Sequence, residues 1–266
     1  MTKTILITGS TDGIGLLTAK RLAEAGHKVL LHGRNRQKLD TALAGVGAGA
    51  EGFVADLSAM SEVAGLVAAV SKAHGRLDIL INNAGVLKAP RAETAEGFDI
   101  RFMVNTFAPV ALTRGLLPII PRDGRIINVS SAAQAPVDPA AMAGAASLGD
   151  MAAYSQSKLA ITIWTQEMAK TLGQGPAVIA VNPGSLLASK MVKEGFGIAG
   201  NDLGIGAGIL CDAALGDRFA GASGQYFDND SGHFAAPHAA AKDPNHVRDV
   251  MQGIEDALAT LNQTSN

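Results

Sequence analysis

Tyr154 and Lys158, in the sequence YSQSK, are residues whose types and spacing could carry out chemistry. In a helix, side chains four positions apart lie on the same face. A tyrosine has a pKa of about 10, which is high for proton transfer at neutral pH, and a neighbouring ammonium group stabilises the phenolate and lowers that pKa. The pair could therefore act as an acid towards a carbonyl or as a base towards an alcohol. On spacing alone, two exposed surface residues are the better interpretation.

The elements that must position this pair follow a regular alternation. Short, continuously apolar runs alternate with helical patterns, and such runs are typical of strands that helices cover on both faces. This order predicts an α/β fold, a Rossmann-type doubly wound three-layer sandwich with a central, mostly parallel seven-stranded sheet. The predicted strands are KTILIT, KVLLHG, GFVAD, LDILINNAG, GRIINVSS, AVIAVNPG and GQYFDND. The predicted helices are Ile14–Glu24, Met60–His74, Asp99–Leu117, Ala152–Leu172 and a last one from Pro244.

A glycine-rich stretch, TGSTDGIG, joins the first strand to the first helix. Gly9, Gly13 and Gly15 allow a tight turn and bring bare backbone close to a ligand, and the helix start offers free N–H groups to phosphates. A plain glycine turn is the alternative, but the strand–turn–helix context favours a dinucleotide site.

Composition restricts the class of protein. The chain has 266 residues, of which 47% are hydrophobic and 17% charged, with a net charge of -2. This predicts one folded NAD(P)-binding domain over 1–266, with no nucleic-acid or membrane partner. The single cysteine excludes an intrachain disulfide, and the N-terminus lacks the pattern of a signal peptide, so a cytoplasmic location is expected. The six histidines show no metal-binding spacing, and no metal is predicted.

Together, the motifs TGSTDGIG, NNAG, NVSS, YSQSK and NPG, in this order, resemble those of the classical short-chain dehydrogenase/reductase superfamily. The resemblance extends from Thr4 to about Phe227. A long gap before YSQSKLA, and GQYF near the C-terminus, resemble the retinol-dehydrogenase-like branch. The resemblance implies an oxidoreductase that moves a hydride between a nicotinamide cofactor and a carbonyl or alcohol, in a homo-oligomer paired through its two long helices.

The resemblance also implies a catalytic set of Ser131, Tyr154, Lys158 and Asn105, with Ser130 as the alternative serine. The serine would hold the developing oxyanion, and Lys158 would also bind the nicotinamide ribose. In a helix the amide of residue 109 would donate to the carbonyl of Asn105, but Pro109 has no N–H. That carbonyl is then free to bind a relay water.

The choice of cofactor depends on the end of the second strand. NAD-specific sites usually place a carboxylate there, and Gly33 stands at that position instead. Arg34 follows and can pair with a 2′-phosphate, so NADP(H) is favoured and NAD(H) remains possible. Solvated loop charges at Arg34 and Arg36 are the alternative.

The implied cofactor contacts run along the whole motif series. Asp56 falls near the adenine, Asn83 to Gly85 near the adenosine ribose, and the loop after the sixth strand beside the nicotinamide. At the usual threonine position stands Ala188, so either Ser189 or the backbone of Leu186 would bond the carboxamide. The full cofactor set is Gly9, Ser10, Asp12, Gly13, Ile14, Gly15, Arg34, Asn35, Asp56, Leu57, Asn83, Ala84, Gly85, Tyr154, Lys158, Pro183, Gly184 and Leu186.

Two segments near 132–151 and 185–205 follow strand ends and are expected to cover a small-molecule substrate. A nucleotide-sugar dehydratase or epimerase is disfavoured, because the stretch after Tyr226 is short. A regulatory protein that senses NAD(P) without turnover is the other alternative, although such proteins commonly lose the tyrosine or the lysine.

Overall fold

The computed structural model describes residues 1–188, 197 and 199–264, and its centre is one eight-stranded sheet in the order β3-β2-β1-β4-β5-β6-β7-β8. The first seven strands are parallel, and β8 is antiparallel to β7. Their bounds are β1 Thr4–Ile7, β2 Lys28–Gly33, β3 Glu51–Val54, β4 Ile79–Asn82, β5 Arg125–Val129, β6 Ala177–Asn182, β7 Tyr226–Asp228 and β8 His233–Ala235.

The eighth strand corrects the prediction of seven. A turn closes when Gly232, at φ +78°, donates its N–H to the carbonyl of Asp228 at 2.8 Å. β8 then folds back as an edge strand of three residues, which is too short to show a pattern in the sequence.

Helices lie on both faces of the sheet and give the predicted three-layer sandwich. Successive residues of each strand point to opposite faces, so Leu6 and Leu30 join one apolar cluster while Ile5 and Ile7 join the other. The helices are α1 Gly13–Glu24, α2 Arg36–Val46, α3 Met60–Ala73, α4 Ile100–Phe102, α5 Ala108–Leu116, α6 Pro139–Met142, α7 Asp150–Leu172, α8 Leu203–Leu215 and α9 Pro244–Thr264. The sequence-based prediction missed α2, α6 and α8.

The first predicted long helix contains a widened turn. Between α4 and α5, Met103–Phe107 forms a π-helical segment, in which the N–H of Ala108 donates to the carbonyl of Met103. Pro109 lies just after it and cannot donate an amide hydrogen, so the regular α-helical ladder cannot run through this turn. The stretch Ile100–Ile119 is long and apolar enough to span a membrane by composition, but 67% of its most apolar window is buried inside the protein.

The strand order places a cleft at one edge of the sheet. β1 lies between β2 and β4, so the chain reverses its direction of travel across the sheet there. In open α/β sheets, ligands bind beyond the carboxyl ends of the strands at such a reversal. The loops after β1, β4, β5 and β6 leave the sheet at this edge.

The C-terminal helix α9 packs on the same face as α7. Its buried residues Val250, Ile254 and Leu261 belong to the apolar cluster that also holds Trp164 of α7. This helix therefore covers part of the apolar surface that the long helices would otherwise present.

Candidate active site

A cavity of about 650 Å³ lies at the carboxyl edge of the sheet and brings most of the predicted site residues together. Its volume is typical of a site for a small molecule or cofactor. The predicted residues along its walls are Gly9, Asp12, Gly13, Ile14, Gly15, Arg34, Asp56, Leu57, Asn83, Ala84, Gly85, Ser131, Tyr154, Lys158, Pro183, Gly184 and Leu186, together with the alternative serine, Ser130. Three others, Ser10, Asn35 and Asn105, do not line it.

The glycines of the turn pack directly against neighbouring backbone atoms. Gly9 has φ +62°, and a Cβ there would stand 2.8 Å from the Cα of Ala84. At Gly15 a Cβ would stand 2.5 Å from the carbonyl oxygen of Gly9. Only glycine fits this packing, and it leaves the start of α1 open to the cavity for a phosphate. The residues present therefore fit a dinucleotide.

Ser10 supports this turn from behind. Its hydroxyl donates to the carbonyl of Ile7 at 2.8 Å and accepts the N–H of His32 at 2.9 Å. A side chain occupied in this way stabilises the turn itself, so the structure does not bring Ser10 to the cavity as a cofactor contact.

His32, which the sequence-based prediction missed, joins the glycine turn to the end of β3. Its Nδ1 accepts the N–H of Gly9 at 3.1 Å, so its Nε2 carries the proton that faces the carbonyl of Ala55 at 3.0 Å. Burial lowers the pKa of His32 to about 4. The ring is therefore neutral at physiological pH, and it serves as a rigid bridge between two walls of the cavity.

We expect His32 to make the protein less stable in acid. Its pKa is lower in the folded chain, so the unfolded chain binds the proton first, and the stabilisation present above pH 6.5 is lost as the pH falls towards 4. The loss in the free energy of unfolding is at most about 3 kcal/mol. Denaturant unfolding at pH 7 and pH 4.5 checks this against His32→Gln, which cannot titrate. Equal pH dependence in both proteins would contradict it.

The end of β2 leaves little room for an acid. A Cβ at Gly33 would stand 2.4 Å from Cγ2 of Thr11, so a carboxylate there requires Thr11 to move. Arg34 is exposed on the cavity wall, and within the described part of the chain no carboxylate pairs with it. Asn35 instead begins α2, where its side chain accepts the N–H of Lys38 at 2.9 Å. It is a helix cap rather than a cavity residue.

The loop after β3 is held by its own side chains. Asp56 Oδ1 accepts the N–H and the hydroxyl of Ser58 at 2.9 and 2.8 Å. Together with Leu57, Asp56 forms the cavity wall beyond β2 and β3.

Tyr154, Lys158 and Ser131 meet at the other end of the cavity. The ammonium of Lys158 lies 5.7 Å from the centre of the Tyr154 ring and donates to the carbonyl of Val129 at 2.7 Å. Burial lowers the pKa of Lys158 to about 8. The residue is 3% exposed, which accounts for that shift.

The pKa of Tyr154 moves in the direction opposite to that predicted. The sequence predicts that Lys158 lowers it, but burial is the largest influence and raises it, while a hydrogen bond with Ser131 opposes the rise. The ammonium is bonded to Val129 and lies against the ring rather than at the hydroxyl. Within the chain itself, Ser131 is therefore the group that favours the phenolate.

The structure distinguishes the two candidate serines. The Ser130 hydroxyl shares a 2.7 Å hydrogen bond with Thr162 and faces the carbonyl of Lys158 at 3.3 Å, and the residue is 2% exposed. Ser131 is partly exposed and lies on the cavity wall with Tyr154, where it acts to lower the pKa of that phenol. Ser130 therefore belongs to the packing of α7 on the sheet, and Ser131 is the serine at the tyrosine.

Asn105 lies behind the cavity in the π-helical segment. Its side chain accepts the N–H of Val86 at 2.8 Å, and donates to the carbonyl of Val86 and to the hydroxyl of Ser157, both at 3.0 Å. It thereby ties the loop after β4 to α7, the helix that carries Tyr154.

The loop after β6 is fastened by Asp230, which the sequence-based prediction also missed. The carboxylate of Asp230 accepts the N–H of Ser185 at 2.8 Å and the side-chain amide of Asn182 at 2.9 Å. The carbonyl of Leu186, at φ +52°, accepts the N–H of Asn201 at 2.6 Å. Ser189, the alternative contact for a carboxamide, lies outside the described residues.

Comparison with known proteins agrees with this geometry. The family model for short chain dehydrogenase matches residues 3–196. Human retinol dehydrogenase 13 is 31% identical over 89% of this chain and 79% of its own length. Of other relatives named retinol or polyprenol dehydrogenase, the chain spans 54% to 64%.

Solved structures match over most of the chain. An uncharacterised protein from Mycobacterium paratuberculosis superposes with a TM-score of 0.81 at 27% identity, over 97% of this chain and 93% of that one. A short chain dehydrogenase from Escherichia coli CFT073, complexed with NADPH, has a TM-score of 0.71 at 27% identity, over 85% and 96%. The chain therefore belongs to the short-chain dehydrogenase/reductase family, in its retinol-dehydrogenase-like branch, and is an oxidoreductase acting on CH–OH groups.

Proposed function

We propose that this protein is an NADP(H)-dependent oxidoreductase that transfers a hydride between the nicotinamide and a carbonyl or alcohol, with Tyr154 as the general acid or base. One observation carries the proposal. One cavity is lined by a glycine turn suited to phosphates and by Tyr154, Ser131 and Lys158. The glycine turn would hold the phosphates of a dinucleotide, and Tyr154 and Ser131 would act on the substrate.

The residues of the chain have distinct proposed roles. When bound, the nicotinamide supplies or accepts the hydride. In reduction, Tyr154 gives its proton to the carbonyl oxygen, and Ser131 donates a hydrogen bond to the same oxygen as negative charge develops. Lys158 would hold the nicotinamide ribose, and Asn105 holds α7 against the loop after β4.

The pKa of Tyr154 favours one direction at neutral pH. Because burial raises it, Tyr154 is protonated there and is ready to act as an acid in carbonyl reduction. Alcohol oxidation needs the phenolate, so we expect its rate to rise with pH above neutrality. Initial rates in both directions across pH 6 to 10 measure this, and an oxidation rate that falls over this range would contradict the assignment.

The preference for NADP(H) is part of the proposal. Arg34 supplies a cation on the cavity wall, and Gly33, packed against Thr11, places no carboxylate at the end of β2. A phosphate on the adenosine ribose then meets an attractive charge and no repulsive one. The NADPH bound to the Escherichia coli protein named above supports this choice.

The substrate end of the cavity suggests a small molecule with an apolar body. Apolar residues that line the cavity include Val86, Leu87, Ala133, Met151 and Leu186. Apolar surface around a single polar reaction site favours a carbonyl or alcohol attached to a hydrocarbon skeleton. The relatives named retinol and polyprenol dehydrogenase support this class of substrate.

A steady-state screen tests the proposed function. Aldehydes, ketones and alcohols of increasing apolar size are offered with NADPH, NADH and their oxidised forms, and cofactor fluorescence reports both binding and consumption. We expect turnover with NADPH and an apolar carbonyl. Cofactor binding without consumption over the whole panel would favour the regulatory sensor, which is not favoured because the tyrosine, serine and lysine meet in one cavity.

Four further expectations belong to the proposal. They are a single NAD(P)-binding domain, a homo-oligomer, a cytoplasmic location and the absence of a metal. Among the described residues, no three His, Cys, Asp or Glu side chains are grouped as metal ligands. Sedimentation measures the oligomeric state. Within one chain, α9 already covers part of the face of α7, one of the two helices through which pairing is expected.

A further inference from the structure

The carbonyl of Ser131 is held by two side chains from distant parts of the fold. β5 ends at Val129, and Ser130 still donates its N–H to Val181 of β6 at 2.8 Å. Ser131 follows just beyond this ladder. Its carbonyl accepts the hydroxyl of Tyr226 at 3.1 Å and the side-chain amide of Gln134 at 2.9 Å.

Both donors are themselves fixed. Tyr226 is 5% exposed and lies on β7, paired with Ala180 of β6. Burial raises the pKa of its phenol, so the hydroxyl keeps its proton and remains a donor at every working pH. The oxygen of the Gln134 side chain accepts the N–H of His238 at 2.9 Å, which turns its NH₂ group towards Ser131.

The hydroxyl of Ser131 is oriented at the same turn. Its oxygen accepts the N–H of Ala133 at 3.1 Å, and Ser131 and Tyr154 line the same cavity. Rotating the peptide of Ser131 would swing this hydroxyl away from Tyr154. The two bonds to the carbonyl prevent that rotation.

We propose that Tyr226 is a positioning residue, which holds the backbone of Ser131 so that the serine hydroxyl meets Tyr154. Tyr226 acts through Ser131 and does not touch the reacting atoms. The inference rests on the proposed function for its catalytic consequence, but the contact between Ser131 and Tyr154 can be measured without any substrate.

The composition of the chain provides a direct readout. Tyr154 and Tyr226 are its two tyrosines. Labelling tyrosine with carbon-13 at Cζ therefore gives two signals, and Tyr226→Phe and Tyr154→Phe each assign one by its disappearance. The chemical shift of the Tyr154 signal reports the hydrogen bond to its hydroxyl.

The test is a double-mutant cycle with Tyr226→Phe and Ser131→Ala. We expect Tyr226→Phe to move the Tyr154 signal in the same direction as Ser131→Ala does, and to lower kcat about fivefold to tenfold while KM for NADPH stays within about twofold. In the Ser131→Ala background, removing the Tyr226 hydroxyl should change neither the signal nor kcat further. An unmoved Tyr154 signal, or effects on kcat that multiply in the double variant, would overturn the proposal.

Two other variants separate positioning from stability. Gln134→Met removes the second donor from a surface loop and should move the Tyr154 signal as Tyr226→Phe does. Thr165→Val removes a buried hydroxyl that accepts from Asn128 at 2.8 Å, further along α7, and should lower stability without moving the signal. If Thr165→Val moves it equally, the effect is general loosening and the proposal fails.

The cycle also distinguishes this inference from the proposed function. If the wild-type protein consumes no substrate but its Tyr154 signal still responds to Tyr226→Phe, the proposed function is contradicted and the positioning role of Tyr226 is retained. Turnover that requires Tyr154 but is unchanged by Tyr226→Phe would support the proposed function and contradict the positioning role of Tyr226.

Discussion

Tyr154→Phe is expected to abolish turnover while leaving cofactor binding intact. The substitution removes one oxygen and keeps the ring, which packs beside Lys158 at 5.7 Å from its ammonium. Loss of a general acid typically lowers a rate by about 10² to 10⁴-fold, and we expect the upper part of that range because the phenol is the donor assigned to the substrate oxygen. Single-turnover rates with NADPH and the best carbonyl from the screen measure the loss.

Binding measurements make this result specific. The Kd for NADPH, from fluorescence titration, should change by less than about threefold, because the glycine turn at the other end of the cavity is unaltered. Thermal unfolding should show a folded protein. Retention of more than a tenth of the wild-type rate would show that another group protonates the substrate, and a large rise in Kd would show that the hydroxyl serves the cofactor instead.

Arg34→Ala is expected to change the choice of cofactor. A guanidinium that pairs with a doubly charged phosphate contributes charge-assisted hydrogen bonds of about 1.5–3 kcal/mol, so kcat/KM with NADPH should fall by about 10- to 100-fold. NADH carries no phosphate there, and its kcat/KM should change by less than about threefold. Because Arg34 is exposed, added salt should reduce the NADPH loss.

Arg36→Ala is the matched control. Arg36 is a neighbouring exposed arginine that pairs with Asp40 at 3.7 Å and does not line the cavity. It alters net charge by the same amount as Arg34→Ala, so it corrects for general electrostatic attraction of an anionic cofactor. Equal losses with NADPH and NADH, or equal losses in the two variants, would remove Arg34 from cofactor selection.

The order of the elements and the glycine turn could be predicted from the sequence, because both depend on local chemistry. Continuous apolar runs need burial on both faces, and the helical pattern at Ile14–Glu24 matches α1 almost residue for residue. The three-residue β8 escaped prediction, since its pairing with β7 depends on a turn rather than on a pattern. The helix α8 escaped because its start at Leu203 falls inside a predicted loop.

Some features of the candidate site could likewise be predicted from the sequence, while others depend on the tertiary structure. The sequence by itself determined which residue types are present: Tyr154 and Lys158 on one helix face, Ser130 and Ser131 at a strand end, and Gly33 in place of an acid. Only the tertiary structure shows that the Ser130 hydroxyl is bonded to Thr162, since that contact joins residues from separate elements.

The tertiary structure also decided the sign of the Tyr154 pKa shift and the roles of His32 and Tyr226. A pKa depends on burial and on the partners that the fold brings near, and those partners are far away along the chain. Tyr226 reaches Ser131 across 95 positions of sequence, a distance at which spacing carries no information. The order of strands and helices therefore followed from local side-chain chemistry. The pKa of Tyr154 and the roles of His32 and Tyr226 followed from contacts between residues that are distant in the sequence and that the fold brings together.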